Sequence, residues 1–268
     1  MQKYIQRYRY SIILLKQLVK TDFKLRYQGS ALGYVWSLLR PLLLFVILYI
    51  VFTKFLKVGR NIPYYPVYLL VGLVVWNYFV EVTVGSVGAI VGKGDLMRKI
   101  NFPKYVIILA GSFSALINLF LNSIVISIFM VINKVPVTAE AFLVIPLILE
   151  LFIASIGIAF LLSALFVRFR DVTYIWEVIV QAAFYATPIL YPLSLVSHSV
   201  AKLMLLNPLA QIIQDVRYVL VTHQSETIYQ AYGGDKFIWL IPVGLTLLTA
   251  VVAGMYFRAR SRFFAEEV

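Results

Sequence analysis

Long apolar runs alternate with short polar ones along this chain, and six of the runs have the length of a membrane span. A helix needs about 20 predominantly apolar residues to cross a hydrocarbon core of about 30 Å. The runs lie at 38–55, 64–91, 105–132, 141–167, 172–190 and 237–257. The second is long and is punctuated by Gly72, Gly85 and Gly88; the fifth is the least apolar and carries Glu177 and Gln181. The pattern predicts an all-α integral membrane protein with six transmembrane helices, forming one domain over residues 1–268. Residues 1–37 are too charged to be a span. Residues 191–236, semi-apolar and broken by Pro192 and Pro208, read as an external or re-entrant helical hairpin before the last span. Such backbone is tolerated at membrane depth only where protein or a water-filled cavity covers it. Asn207-Pro208 has the form of an N-cap and a first helical residue. In the helix that follows, Leu209, Ile212, Ile213, Val216 and Leu220 fall on one side. Gln211, Gln214, Asp215 and Arg217 fall mostly on the other.

Three further segments have helical or turn patterns of their own. Over residues 11–28, Ile12, Leu15, Val19 and Phe23 recur at spacings of three and four, and Lys16, Lys20 and Lys24 form a second stripe. This suits an amphipathic helix lying in the membrane interface, either as an anchor on anionic lipid or as the border of an entrance for an amphiphilic substrate. Residues 92–104 join the second and third spans. Asp95 is placed to cap a short helix and to pair with Lys99 one turn on, and Pro103 stops it. Leu96, Met97, Ile100 and Phe102 then have no core to enter, so they are expected to be exposed. That makes the segment a docking knob for a partner protein or a loop packed on the bilayer. In the turn Arg168-Phe169-Arg170-Asp171, Asp171 is placed to cap the fifth span while the arginines hold it at the interface, with a second docking contact as the alternative.

Apolar residues make up 62% of the 268 residues and charged ones only 13%, with a mean hydropathy of +0.88. Soluble domains carry about a quarter charged residues, so the composition reinforces the membrane reading. The net charge of +12 would suggest nucleic acid, but its distribution does not. With the N-terminus in the cytoplasm, 17 of the 24 Lys and Arg fall on inner segments, as the positive-inside rule expects with both termini inside. The first 37 residues lack the apolar core and cleavage site of a signal peptide. There is no cysteine, and His198 and His223 have no ligand spacing, so no metal is expected. Gly88 to Gly94 resembles a phosphate loop, but its spacer is one residue short and Gly94 stands where a hydroxyl is required. This chain is therefore not expected to hydrolyse ATP. Glu81, Glu150 and Glu177 are acids within spans, which are costly and often functional. Glu81 and Glu150 read as residues near span ends or in polar contacts. Glu177 and Gln181 share one face, toward a polar path or a neighbouring helix.

Several runs resemble one family. They are DFKLRYQGSALGYVWSLLRP at 22–41, DLMRKINFP at 95–103, FRDV at 169–172, TPILYP at 187–192 and NP at 207–208. In order and spacing they are similar to the ABC-2 type permeases that export polysaccharides. The resemblance implies a homodimer of this chain with two separate ABC ATPase subunits, which would hold the ATP and magnesium. This chain would carry no cofactor. It implies that residues 11–28 form an interfacial gate helix. It also implies that Asp95, Leu96, Met97, Arg98, Lys99, Ile100 and Phe102 form the helix seated in the ATPase. The cargo would be a glycan on an isoprenoid diphosphate, moved across the bacterial cytoplasmic membrane. General likeness leans to wall teichoic acid, with O-antigen or capsule as alternatives. Arg26 and Arg40 would meet the diphosphate at the cytoplasmic mouth, unless they are only positive-inside anchors. Trp36, Trp176, Phe184 and Tyr185 would line the path or its entrance, with Glu177 and Gln181. A rival is a membrane-embedded glycosyltransferase on the same carrier, although Asp95, Asp171, Asp215 and Asp235 are isolated in sequence.

Overall fold

Gly88 caps the helix over Tyr65–Val87, and Pro188 sets the helical end of the fifth apolar run. The computed structural model describes residues 2–27, 33–100 and 102–267, and its regular structure is helical among these residues. Helix α1 (Gln2–Tyr27) carries the amphipathic segment. It is followed by α2 (Trp36–Ile50), which continues in a π-helical turn to Phe55, and by α3 (Tyr65–Val87). The short α4 (Gly94–Lys99) leads to α5 (Tyr105–Ile132), α6 (Val144–Arg168) and α7 (Val172–Ala186). Three small helices, α8 (His198–Leu205), α9 (Pro208–Leu220) and α10 (Ile228–Ala231), precede α11 (Leu240–Arg260) and a last turn, α12 (Phe264–Glu267).

Five helical stretches are long and apolar enough to cross a membrane: Trp36–Phe55, Tyr65–Val87, Tyr105–Ile132, Ala139–Arg168 and Leu240–Arg260. The fifth predicted span is helical only to Ala186, because Pro188 follows. Fifteen residues reach roughly 22 Å, short of a full hydrocarbon core. Helix α3 runs unbroken through Gly72 and Gly85 and ends at Gly88. It is the centre of the bundle, buried on nearly every side by α2, α5, α6, α7 and α9. Helices α6 and α11 approach closely where Gly157 faces Ala250: a Cβ at Gly157 would sit 2.9 Å from the Ala250 Cα. Small residues let backbones meet in this way where lipid offers no hydrophobic drive to association. Phe120, Ile124 and Ile128 on α5 and Leu248, Val251 and Met255 on α11 turn outward, as lipid-facing residues do.

The segment after α7 shows how the irregular backbone is stabilised. Residues 187–190 leave the helix, so their carbonyls need partners. Arg217 of α9, fully buried, donates from Nη1 to the Pro188 oxygen at 2.6 Å and from Nη2 to the Ile189 oxygen at 2.6 Å. Its Nε donates to the Tyr68 oxygen of α3 at 3.0 Å. The guanidinium lies 3.6 Å from the Tyr68 ring centroid, and the Tyr65 hydroxyl donates to the Leu190 oxygen at 3.1 Å. A planar fork with five donors suits this task and a lysine ammonium does not. Gly72 leaves the room: any Cβ there would overlap Arg217 Nη2.

Burial on α9 is not confined to its apolar side. Gln211, Gln214 and Arg217 are as deeply buried as Ile212 and Ile213. The predicted cap is present, with Asn207 Oδ1 accepting from the Leu209 amide at 3.0 Å.

Candidate functional site

An apolar helix at the centre of a bundle has little use for Asn77, Tyr78 and Glu81, yet α3 carries all three on the wall of a cavity of about 810 Å³. Trp36, Ser37 and Arg40 of α2 line it from one side, and Asn118 and Asn122 of α5 from another. Asn118 Nδ2 donates to Glu81 Oε1 at 2.7 Å, and Asn122 Nδ2 donates to the Asn118 backbone oxygen at 2.8 Å. The two asparagines are one turn apart and so share a face of α5. The Tyr78 hydroxyl is buried with no hydrogen-bond partner among the described residues. Acids and amides inside spans are expensive unless they pair or face water. Here they converge on one space walled by α2, α3 and α5.

A second cavity, of about 250 Å³, shares Glu81 and Gly85 with the first and extends to Asp22 and Lys93. At Gly85, Gly92 and Gly111 an added Cβ would meet no atom within 4 Å, so the space beside them is open. Lys93 Nζ and Asp22 Oδ1 are 3.0 Å apart, tying α1 to the turn that enters α4. Glu81 thus sits between the α4 end of the bundle and the larger cavity.

The sequence-predicted residues divide among several places. Trp36 and Arg40 come together in the large cavity. Arg26 lies outside the described side chains, as do residues 28–32 and Asn101 from the family-like runs. On α7, Trp176 stands 6.2 Å from Phe79 and Phe184 stands 5.7 Å from Trp76, both edge-on, so these two rings pack α7 against α3. Glu177, Gln181 and Tyr185 lie on the exposed side of α7, away from the cavity residues. No residue of α7 is fully buried.

The segment at α4 requires a correction. Met97 and Phe102 are buried within this chain, and Leu96 and Ile100 pack partly against the core. The last turn, α12, packs against α4, with Phe264 buried beside Phe257. This chain thus supplies the apolar residues of α4 with the cover that their sequence context did not reveal. The outward residues are Asp95, Arg98 and Lys99. Asp95 stands inside the first turn, whose cap position is Lys93, and no ion pair joins it to Lys99.

Asn77, Asn118 and Asn122 went unremarked in the sequence, where Tyr78 stands out only as one of the dense aromatic residues of the second span. The signal available was the pair of asparagines spaced by four in an otherwise apolar run. Glu150 of α6 faces Asp215 of α9, whose Oδ2 accepts from Gln211 Nε2. Burial pushes the Asp215 carboxyl up to about 6, against the opposing hydrogen bonds from Gln211 and Trp239.

The architecture is that of a multi-pass helical membrane protein with a cavity among its spans that polar side chains line in part. The sequence profile of the ABC-2 type transporter family matches residues 13–221, and the chain belongs to that family. The O-antigen export system permease protein RfbA of Myxococcus xanthus is 28% identical over 258 residues, 95% of each chain. A protein of the same name from Klebsiella pneumoniae is 29% identical over 239 residues, covering 89% of this chain and 92% of that one. A second Klebsiella pneumoniae protein of that name is 28% identical over 255 residues, 95% of each chain.

Proposed function

We propose that this chain is the membrane-spanning permease subunit of an ATP-driven exporter that moves a lipid-linked surface glycan of the O-antigen type outward. The names of the related permeases favour O-antigen over wall teichoic acid. The observation that carries this reading is the cavity between α2, α3 and α5, lined by Trp36, Arg40, Glu81 and three asparagines, with a second cavity beside it that shares Glu81 and Gly85 and reaches Asp22 and Lys93. Amides and a carboxylate suit sugar hydroxyls, and flat rings suit sugar faces. Arg40 is the group on this wall suited to a diphosphate, as a planar donor, and Arg26 is assigned the same task.

In this reading both termini and α4 lie in the cytoplasm of a bacterial inner membrane, as the charge bias supports. Asp95, Arg98 and Lys99 dock on a separate ATPase subunit that holds ATP and magnesium. The Asp22–Lys93 pair passes movement of α4 to α1. Two copies of this chain meet through α2 and α7, where Glu177 and Gln181 are exposed on the side of α7 turned away from α3. Surface glycan and the intracellular lipid-linked pool are measured in cells whose only permease is this chain. Arg40→Gln is expected to raise the internal pool and lower surface glycan at least tenfold, while the ATPase still co-purifies. Lys99→Glu with Asp95→Lys is expected to release the ATPase. Normal surface glycan in cells lacking the chain would overturn the reading.

A further inference from the structure

The face of α5 opposite the polar cavity forms a different kind of site. Phe113, Leu116, Ile117 and Phe120 make the floor of a groove of about 640 Å³, and α1 lies along it with Leu15, Val19 and a row of Lys16, Lys20 and Lys24. At about 100° of rotation per residue, this floor and the cavity-lining Asn118, Leu119 and Asn122 are separated by roughly 160° around α5. The groove therefore turns away from the cavity, toward the surrounding membrane. Phe120 is 59% exposed, and Phe113 and Ile117 are each 37% exposed. All three lysines are exposed, and the outer two are about 12 Å apart along the helix.

We infer that this groove binds one acidic phospholipid per chain, its acyl chains on the α5 floor and its phosphate on the lysine row. An apolar floor alone would not select a lipid, because hydrocarbon gains nothing by exchanging one apolar neighbour for another. The selection comes from the cations, each of which favours an anionic headgroup by about fivefold at the membrane surface. The walls offer no amide or carboxylate for sugar hydroxyls, and they share no residue with the polar cavity. Both features separate this occupant from the cargo. The bound lipid joins α1 to α5 and so steadies the helix whose Asp22 holds Lys93. The inference rests on the membrane placement of α5 and not on the cargo proposed above.

The test is native mass spectrometry of the full chain in detergent, with dioleoyl phosphatidylglycerol against dioleoyl phosphatidylcholine. The wild type is expected to retain one phosphatidylglycerol per chain and little phosphatidylcholine. Lys16→Gln with Lys20→Gln and Lys24→Gln is expected to reduce that preference about a hundredfold. Ile117→Trp, which fills the floor and leaves the lysines in place, is expected to abolish retention. Both variants change exposed positions, and an unchanged elution volume verifies their fold. Equal retention of the two lipids, or no effect of either variant, would overturn the site. If an isoprenyl diphosphate displaces phosphatidylglycerol at equal concentration, the groove is a cargo site instead. None of these readouts involves transport, so failure here leaves the exporter reading intact.

Discussion

Helix α4 exposes Asp95, Arg98 and Lys99 and turns Met97 inward, whereas α9 buries Gln211, Gln214 and Arg217 along with its apolar residues. Both are short helices outside the long spans, and both mix apolar with polar residues at helical spacing. The difference lies in what surrounds them. At α4 the core covers one side and the other is open, so the charges turn outward. At α9 the helices α3, α6, α8 and α11 all lie close, and the broken backbone after α7 presents free carbonyls. Arg217 can be buried there because it satisfies those groups, and Gln211 donates to Asp215 on the same helix. Amphipathic spacing thus says which residues share a face, and the neighbours decide whether the polar face meets water.

Removing the buried donor is the most severe way to break this contrast. Arg217→Met should destabilise the chain by about 3–5 kcal/mol, since three carbonyls lose their partner in a dry site. Arg217→Lys should not rescue it, because an ammonium cannot reach three acceptors and stack on Tyr68 together. Both are read from thermal unfolding in detergent. At α4, Met97→Ala should lower stability by about 2–3 kcal/mol, while Lys99→Ala changes it by no more than about 0.5 kcal/mol. Equal effects at the two positions would mean that Met97 is not core. Gly72→Ala should follow, at about 1–3 kcal/mol, because the added methyl group displaces the guanidinium.

Asp215 sharpens the contrast through pH. Its folded-state pKa of about 6 is above the ordinary 3.8, so the folded chain binds the extra proton between those values. The stabilisation is complete below about pH 4 and is lost as pH rises through 6. The wild-type melting temperature should therefore fall between pH 4 and 6.5 by the equivalent of about 1–2 kcal/mol. Asp215→Asn, with Glu150 still facing it, should flatten that slope.

Much of the architecture was legible in the chain. The third span has the predicted limits, and the other long spans lie within a few residues of theirs, because apolar runs need no tertiary context to be recognised. The Asn207 cap was legible for the same local reason. The polar cavity was less so. Trp36 and Arg40 were picked out, but Asn77, Asn118 and Asn122 acquire meaning only when α2, α3 and α5 meet around one space. The exposure expected of Met97 and Phe102 failed because both join the main core of the chain, to which α12, packed against α4, brings Phe264 from more than 160 residues further along. No local pattern reports such a contact.

Hydrophobic periodicity and the placement of charge determined by themselves that this chain lives in a membrane, where its five long helices run and which segments lie between them, while Pro188 cut the fifth of the six expected spans to a shorter helix. These are properties of transfer from water to hydrocarbon, and they act on each segment separately. Only the tertiary structure decided which polar groups are buried, which carbonyls Arg217 satisfies and which face of α5 meets the cavity. Those outcomes depend on partners distant in sequence, and a hydrogen bond exists only once both of its ends are in place.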